Sequence, residues 1–209
     1  MKFDKEFKRA ISNLPSSEKD KLIFRMLKQN IPLANRLLFE LVSTDTIDIR
    51  REKIEVRIKD RIQQIVPNYY SPGYLMMDIR DLSGDITRHV NTTRDKYGEA
   101  SLNLLLLNET LINFNSKIEQ ESIGKSYKLC IYIIAKTFKI LILINSLHED
   151  YLIEFKDQLV NVGQQISKNR HLMKIAINNG LDVNWLLQAN IPNNINEIHK
   201  NIRSQGFLK

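Results

Sequence analysis

Cysteine is almost absent: Cys130 is the only one in 209 residues. A single thiol excludes an internal disulfide. Because Cys130 lies in the most apolar stretch, it reads as a buried, inert side chain in a reducing compartment. Glycine and proline are scarce, 7 and 5 in the whole chain, which argues against an all-β fold that spends both on frequent turns. The few glycines are isolated, so none forms a phosphate-cradling loop, and there is no Gly-x-Ser-x-Gly nucleophile elbow. The opening residues Met1-Lys2-Phe3-Asp4-Lys5-Glu6 lack the apolar core of a signal peptide, so the expected location is cytoplasmic.

What is present is an ordinary globular balance, 43% apolar and 26% charged, rich in Ile, Asn and Lys as an AT-rich coding sequence produces. The net charge is +7. Residues 1–61 carry 15 Lys or Arg against 10 Asp or Glu, with acids interleaved throughout. No basic tail or low-complexity block exists.

The hydropathy pattern is helical from end to end. Phe3, Phe7, Ala10, Ile11 and Leu14 share one side of a first helix; Ser17 and Asp20 stand in a capping relation before a second, and Pro32 opens a third. A fourth, from about Thr46 to Val66, aligns Ile47, Ile54, Ile58, Ile62 and Ile65. Beyond it, Leu75, Ile79, Leu82 and Ile86 form a helix seam, as do Leu104, Leu107, Leu111, Phe114 and Ile118, and then Leu152, Phe155, Leu159, Val162 and Ile166. Tyr97-Gly98 and Ser122-Ile123-Gly124 read as breaks, and Asn179-Gly180 as a left-handed helix stop. The expected fold is all-α: about ten helices packed as antiparallel hairpins, a bundle or a short α-superhelix with HEAT-like stacking. Pro67-Asn68-Tyr69-Tyr70-Ser71-Pro72-Gly73-Tyr74 is the strongest linker signal. It divides residues 1–66, an N-terminal helical subdomain, from a bundle over 75–209, unless the two pack as one continuous domain.

The apolar run Leu129–Leu147 is long enough to raise a membrane span. Two central lysines, Lys136 and Lys139, each cost about 2.5–3.5 kcal/mol on insertion, and about eleven Leu, Ile and Phe return about 0.3–0.6 each. The sum is near zero before Thr137, Asn145 and Ser146 are charged. Lys125, Lys128, Tyr132, Lys136 and Lys139 lie along one narrow stripe, which suits a central core helix with one edge reaching water. No membrane span is expected.

Three sets of residues suggest function. Asp81, Asp85 and His89 recur every four residues beside Asp78; two carboxylates and an imidazole on one face are a metal-site pattern, but the facing Glu-x-x-His motifs of carboxylate bundles are missing. The plain alternative is a solvated face with a half-buried histidine. Arg50, Arg57 and Arg61 line one side of the fourth helix and suit phosphate, but Glu52, Glu55 and Asp60 intervene. Lys2, Lys5, Lys8, Arg9, Lys19, Lys21, Arg25 and Lys28 add to the positive N-terminal third. Tyr69, Tyr70 and Tyr74 at the linker are equally suited to partner contact and to fixing the linker by packing.

Asn178-Asn179-Gly180-Leu181-Asp182-Val183-Asn184 resembles the helix–loop junction of an ankyrin repeat. It lacks the Thr-Pro-Leu-His start and does not recur, so it reads as a local helix stop. Ser17–Val42, with Lys19-Asp20-Lys21-Leu22-Ile23 and Arg36-Leu37-Leu38-Phe39-Glu40-Leu41, resembles uncharacterised all-helical bacterial proteins; that resemblance implies a helical fold and no activity or site. The expected role is a non-catalytic protein-interaction or scaffold module without cofactor, whose partner is a protein or a second copy. The alternatives are a nucleic-acid-binding accessory protein and a metal-dependent helical-bundle enzyme.

Overall fold

The computed structural model describes residues 3–208; Met1, Lys2 and Lys209 lie outside the described residues, and with them the cation named at Lys2. Their described neighbours form eleven α-helices and one 3-10 turn, with no strand. The helices are α1 (Lys5–Ser12), α2 (Ser16–Gln29), α3 (Ile31–Leu41), α4 (Ile47–Ile65), α5 (Pro72–Thr93), α6 (Lys96–Gln120), α7 (Ile123–Asn145), α8 (Leu152–Lys168), α9 (Arg170–Asn178), α10 (Asn184–Leu187) and α11 (Ile195–Ser204). The chain is all-α.

Local chemistry sets many of the boundaries. The side chains of Asp4, Asn30, Thr46, Ser71, Asp95 and Asn169 each accept a backbone N–H from the first turn that follows, satisfying donors that the helix itself leaves unpaired. Ser17 does not cap: α2 starts one residue earlier, behind Pro15. Gly180 ends the α9 segment at φ +73°, the left-handed geometry that glycine adopts without a Cβ penalty.

Two central helices organise the body. α6 packs against α4, α5, α7, α8 and α9, and α7 against α5, α6, α8, α9 and α11. The seams meet in one core. Leu75, Ile79, Leu82 and Ile86 of α5 join Leu104, Leu107, Leu111, Phe114 and Ile118 of α6, and Phe155, Leu159, Val162 and Ile166 of α8. Ile58, Ile62 and Ile65 of α4 sit in that same core. The segment after Pro67 connects α4 to α5, whose apolar faces both join that core. The change in packing comes earlier: α1, α2 and α3 bury no residue at all. In the body, α6 and α8 run parallel and are stitched by amides. Asn161 Nδ2 donates to Asn108 Oδ1 at 2.7 Å, Asn115 Nδ2 to the Gln165 carbonyl at 2.8 Å, and Asn169 Nδ2 to Asn115 Oδ1 at 2.7 Å.

Two expectations need correction. Gly98 does not break the chain; it lies in the first turn of α6, where its N–H donates to Asp95 Oδ1 at 2.8 Å. The lysine stripe of α7 does not stay at the water edge either. Lys125, Lys128 and Lys139 are exposed, but Lys136 is 7% exposed, because both α5 and α6 close over that part of α7. Among the described residues no helix is long and apolar enough to cross a membrane.

Candidate functional site

The arginines of α4 and the acids of α5 meet. Arg61 pairs with Asp78 at 2.7 Å, Arg57 with Asp85 at 2.7 Å, and Arg51 with Asp95 just beyond the end of α5 at 2.7 Å. Rising numbers on one helix pair with falling numbers on the other, the register of an antiparallel hairpin. Arg88, on α5 itself, makes a further close contact with Asp85. The two polar sets singled out in the sequence are therefore the two sides of one ion-pair ladder. Asp81 stays exposed and, with Arg57 and Arg61, lines a shallow groove of about 490 Å³.

This pairing changes what each set can do. Asp78 and Asp85 are each engaged by arginine, and His89 turns to Asp95, its Nε2 3.2 Å from Asp95 Oδ2. Among the described residues no three Asp, Glu, His or Cys side chains are placed to hold a metal ion. On the other side, Arg57 and Arg61 are engaged by carboxylates. Arg50 lies over the Phe39 ring at 4.8 Å and 3.9 Å from Asp45, which Lys53 also contacts at 2.7 Å. A phosphate would have to displace these carboxylates before gaining anything from the arginines.

Sequence reasoning missed the tightest knot of the region, Asp95. Its side chain is 5% exposed. Burial alone would raise its pKa, but hydrogen bonds from His89, Arg51 and the Gly98 N–H outweigh that and hold the carboxyl well below the usual range. Asp95 both caps α6 and ties it to α4 and α5. The available signal was an Asp directly before the helical pattern at Lys96, the ordinary N-cap position.

The second missed group is Lys136. Its Nζ donates to Asn103 Oδ1 at 2.7 Å and to Ser83 Oγ at 2.8 Å, and Ser83 Oγ also lies 2.9 Å from Tyr132 Oη. The nearby acid Glu99 pairs instead with Lys139 at 2.9 Å. Burial, and secondarily the Lys139 charge, push the Lys136 ammonium down to about 7.

The three tyrosines separate into two roles. Tyr69 packs on Phe114, with ring centroids 5.8 Å apart, beneath the Lys117 ammonium; burial raises its hydroxyl to about 12. Tyr70 and Tyr74 are 78% and 60% exposed and meet edge to face at 5.3 Å.

Many of the exposed large apolar side chains lie in residues 3–42. Phe3, Phe7 and Ile11, then Ile23, Phe24 and Met26, then Ile31, Leu33, Leu38, Leu41 and Val42 all remain exposed. The fold and this surface define an all-α protein with one helical core and three amphipathic N-terminal helices, the third packed on α5, that leave apolar side chains exposed. No protein-family model matches the chain, and neither a curated protein nor a solved structure matches it.

Proposed function

We propose that this chain is a non-catalytic interaction module that presents α1–α3 to a protein partner. The observation that carries the reading is the contrast between a body with a closed core and an arm in which no residue of three helices is buried. Large exposed apolar surfaces on a folded chain mark contact sites, and three helices joined by short turns offer grooves to a partner segment. Tyr70 and Tyr74 are a second, smaller contact candidate on the body, because tyrosine is favoured at interfaces.

The nucleic-acid alternative has less support, since the arginines it would use already hold carboxylates of the same chain. Absence of a retarded band with random duplex DNA or RNA at about 50 mM salt, where phosphate contacts are strongest, disposes of it. The interaction reading is tested by capture from native lysate with the wild-type chain and with a Phe24→Asp/Leu38→Asp variant as baits. A stoichiometric partner retained by the first and lost by the second is expected. Identical captures from both would remove the reading.

A further inference from the structure

A lysine ammonium carries three N–H donors, and the neutral amine carries two. Lys136 meets two oxygens, Asn103 Oδ1 on α6 at 2.7 Å and Ser83 Oγ on α5 at 2.8 Å. Both partners are otherwise occupied: Asn103 Nδ2 donates to the Glu99 carbonyl, and the Ser83 hydroxyl donates to the Ile79 carbonyl and lies 2.9 Å from Tyr132 Oη. The junction of α5, α6 and α7 is thus filled by a neutral amine. The third N–H of an ammonium finds no oxygen among the described residues, in a place shut off from water.

The register of α6 against α7 supplies the acid that an ammonium would need. Rising numbers on α6 meet falling numbers on α7, so Glu99 pairs with Lys139 at 2.9 Å while Asn103, one turn further along, holds Lys136. Glu99 moves from one lysine to the other by a side-chain swing of about one helical turn. The pair it leaves is weak, because the Lys139 side chain is 48% exposed and water replaces the carboxylate. The pair it makes is with a buried charge, where attraction is screened least.

Lys136 faces α5 and α6. The charged and titratable groups that bear on it are Glu99 from α6, Lys139 and the Tyr132 hydroxyl on α7, and from α5 Arg80, whose charge acts on Tyr132. Burial raises the Tyr132 hydroxyl, so it stays protonated across neutrality. The group that changes charge there is Lys136, and the one free to answer is Glu99.

We infer that Lys136, Lys139 and Glu99 form a proton-operated switch at the junction of α5, α6 and α7: with Lys136 neutral, Glu99 holds Lys139, and when Lys136 takes up a proton from solvent, Glu99 turns to it and releases Lys139 to water. The exchange converts a surface ion pair into an inner one. It leaves on the outer face of α7 a lysine that is paired in the one state and free in the other.

The test is an NMR titration of the full chain, labelled with carbon-13, from about pH 5.5 to 9.5, following Cε of Lys136 and Lys139 and Cδ of Glu99. The signals are assigned with Lys136→Met, Lys139→Gln and Glu99→Gln. Lys136 Cε and Glu99 Cδ are expected to share one midpoint, near the value of about 7 that burial gives Lys136. That lies well above the ordinary carboxylate range, so the Glu99 signal reports the exchange rather than its own protonation. Lys139→Gln frees Glu99 and removes a like charge, and should raise the Lys136 midpoint by about one pH unit; Glu99→Gln should lower it by about as much. Both replaced side chains reach water, and the wild-type titration stands without the variants' midpoints. A Lys136 midpoint above about 10 in wild type overturns the inference. So does a Glu99 signal that stays still while Lys136 titrates, or a Lys136 midpoint that Lys139→Gln leaves within about 0.3 pH unit of wild type.

Discussion

Replacing Lys136 by Met should stabilise this protein at neutral pH, although it deletes two hydrogen bonds. The folded chain disfavours the ammonium: its pKa falls from 10.5 to about 7, which corresponds to about 5 kcal/mol carried by the folded state whenever the lysine is protonated. Methionine fills nearly the same volume without that burden. Against this, Asn103 Oδ1 loses its donor, a cost of about 1–3 kcal/mol. Ser83 Oγ keeps its partners at Ile79 O and Tyr132 Oη. The balance is a gain of about 2–4 kcal/mol at pH 7 or below. The pH dependence is the sharper signature. A base with a depressed folded-state pKa is more protonated in the unfolded chain between about 7 and 10.5, so wild-type stability rises across that window. From pH 7 to about 9.5 the rise is about 3 kcal/mol, and it is absent in Lys136→Met, so the advantage of the variant shrinks towards zero. Urea unfolding of both proteins at several pH values measures this directly. A wild type no more stable relative to the variant at high pH, or a variant less stable by more than about 2 kcal/mol at pH 7, would refute the reasoning.

Gly98→Ala should destabilise by about 2–3 kcal/mol despite alanine's better helix propensity, because its Cβ would fall 2.0 Å from Asp95 Oδ2 and 2.9 Å from Arg51 Nε. Gly84→Ala meets only the flexible end of Arg88 at 3.3 Å and should stabilise by about 0.5–1 kcal/mol; paired thermal melts compare the two. Asp95→Ala removes the α6 cap and leaves Arg51 and His89 without their carboxylate, a loss of about 3 kcal/mol near neutrality. Since the folded-state pKa of Asp95 is depressed, its contribution is fully present above the ordinary carboxylate range and is lost progressively as pH falls from that range towards the lower folded-state pKa. Acid titration of wild type should therefore show a decline that the variant lacks. Cys130 is buried, and burial raises its thiol to about 12. Ellman's reagent should leave it unmodified in the native chain and react within the mixing time in denaturant.

Periodicity was enough to read the helices, because a 3.6-residue repeat places apolar side chains on one face whatever the rest of the chain does. Leu75, Ile79, Leu82 and Ile86, like the seams of α6 and α8, are buried where their spacing puts them. Which face meets which neighbour is a long-range matter that no local repeat encodes. Asp78, Asp85, Arg57 and Arg61 were each legible as polar faces, but only the α4–α5 hairpin sets them against one another. Lys136 continued a stripe of exposed lysines in sequence, yet Ser83 and Asn103 from two other helices enclose its ammonium. Asn103, Asn108 and Asn169 looked like coding bias and are buried polar contacts. The same reasoning applies to the arm. Phe3, Phe7 and Ile11 carry the spacing of core residues, and the sequence by itself determined their helix. Only the tertiary structure decided that the buried core closes without them, because α4–α11 bury one another's apolar faces, whereas α3 packs on α5 with its side chains at most half-buried and α1 and α2 bury none.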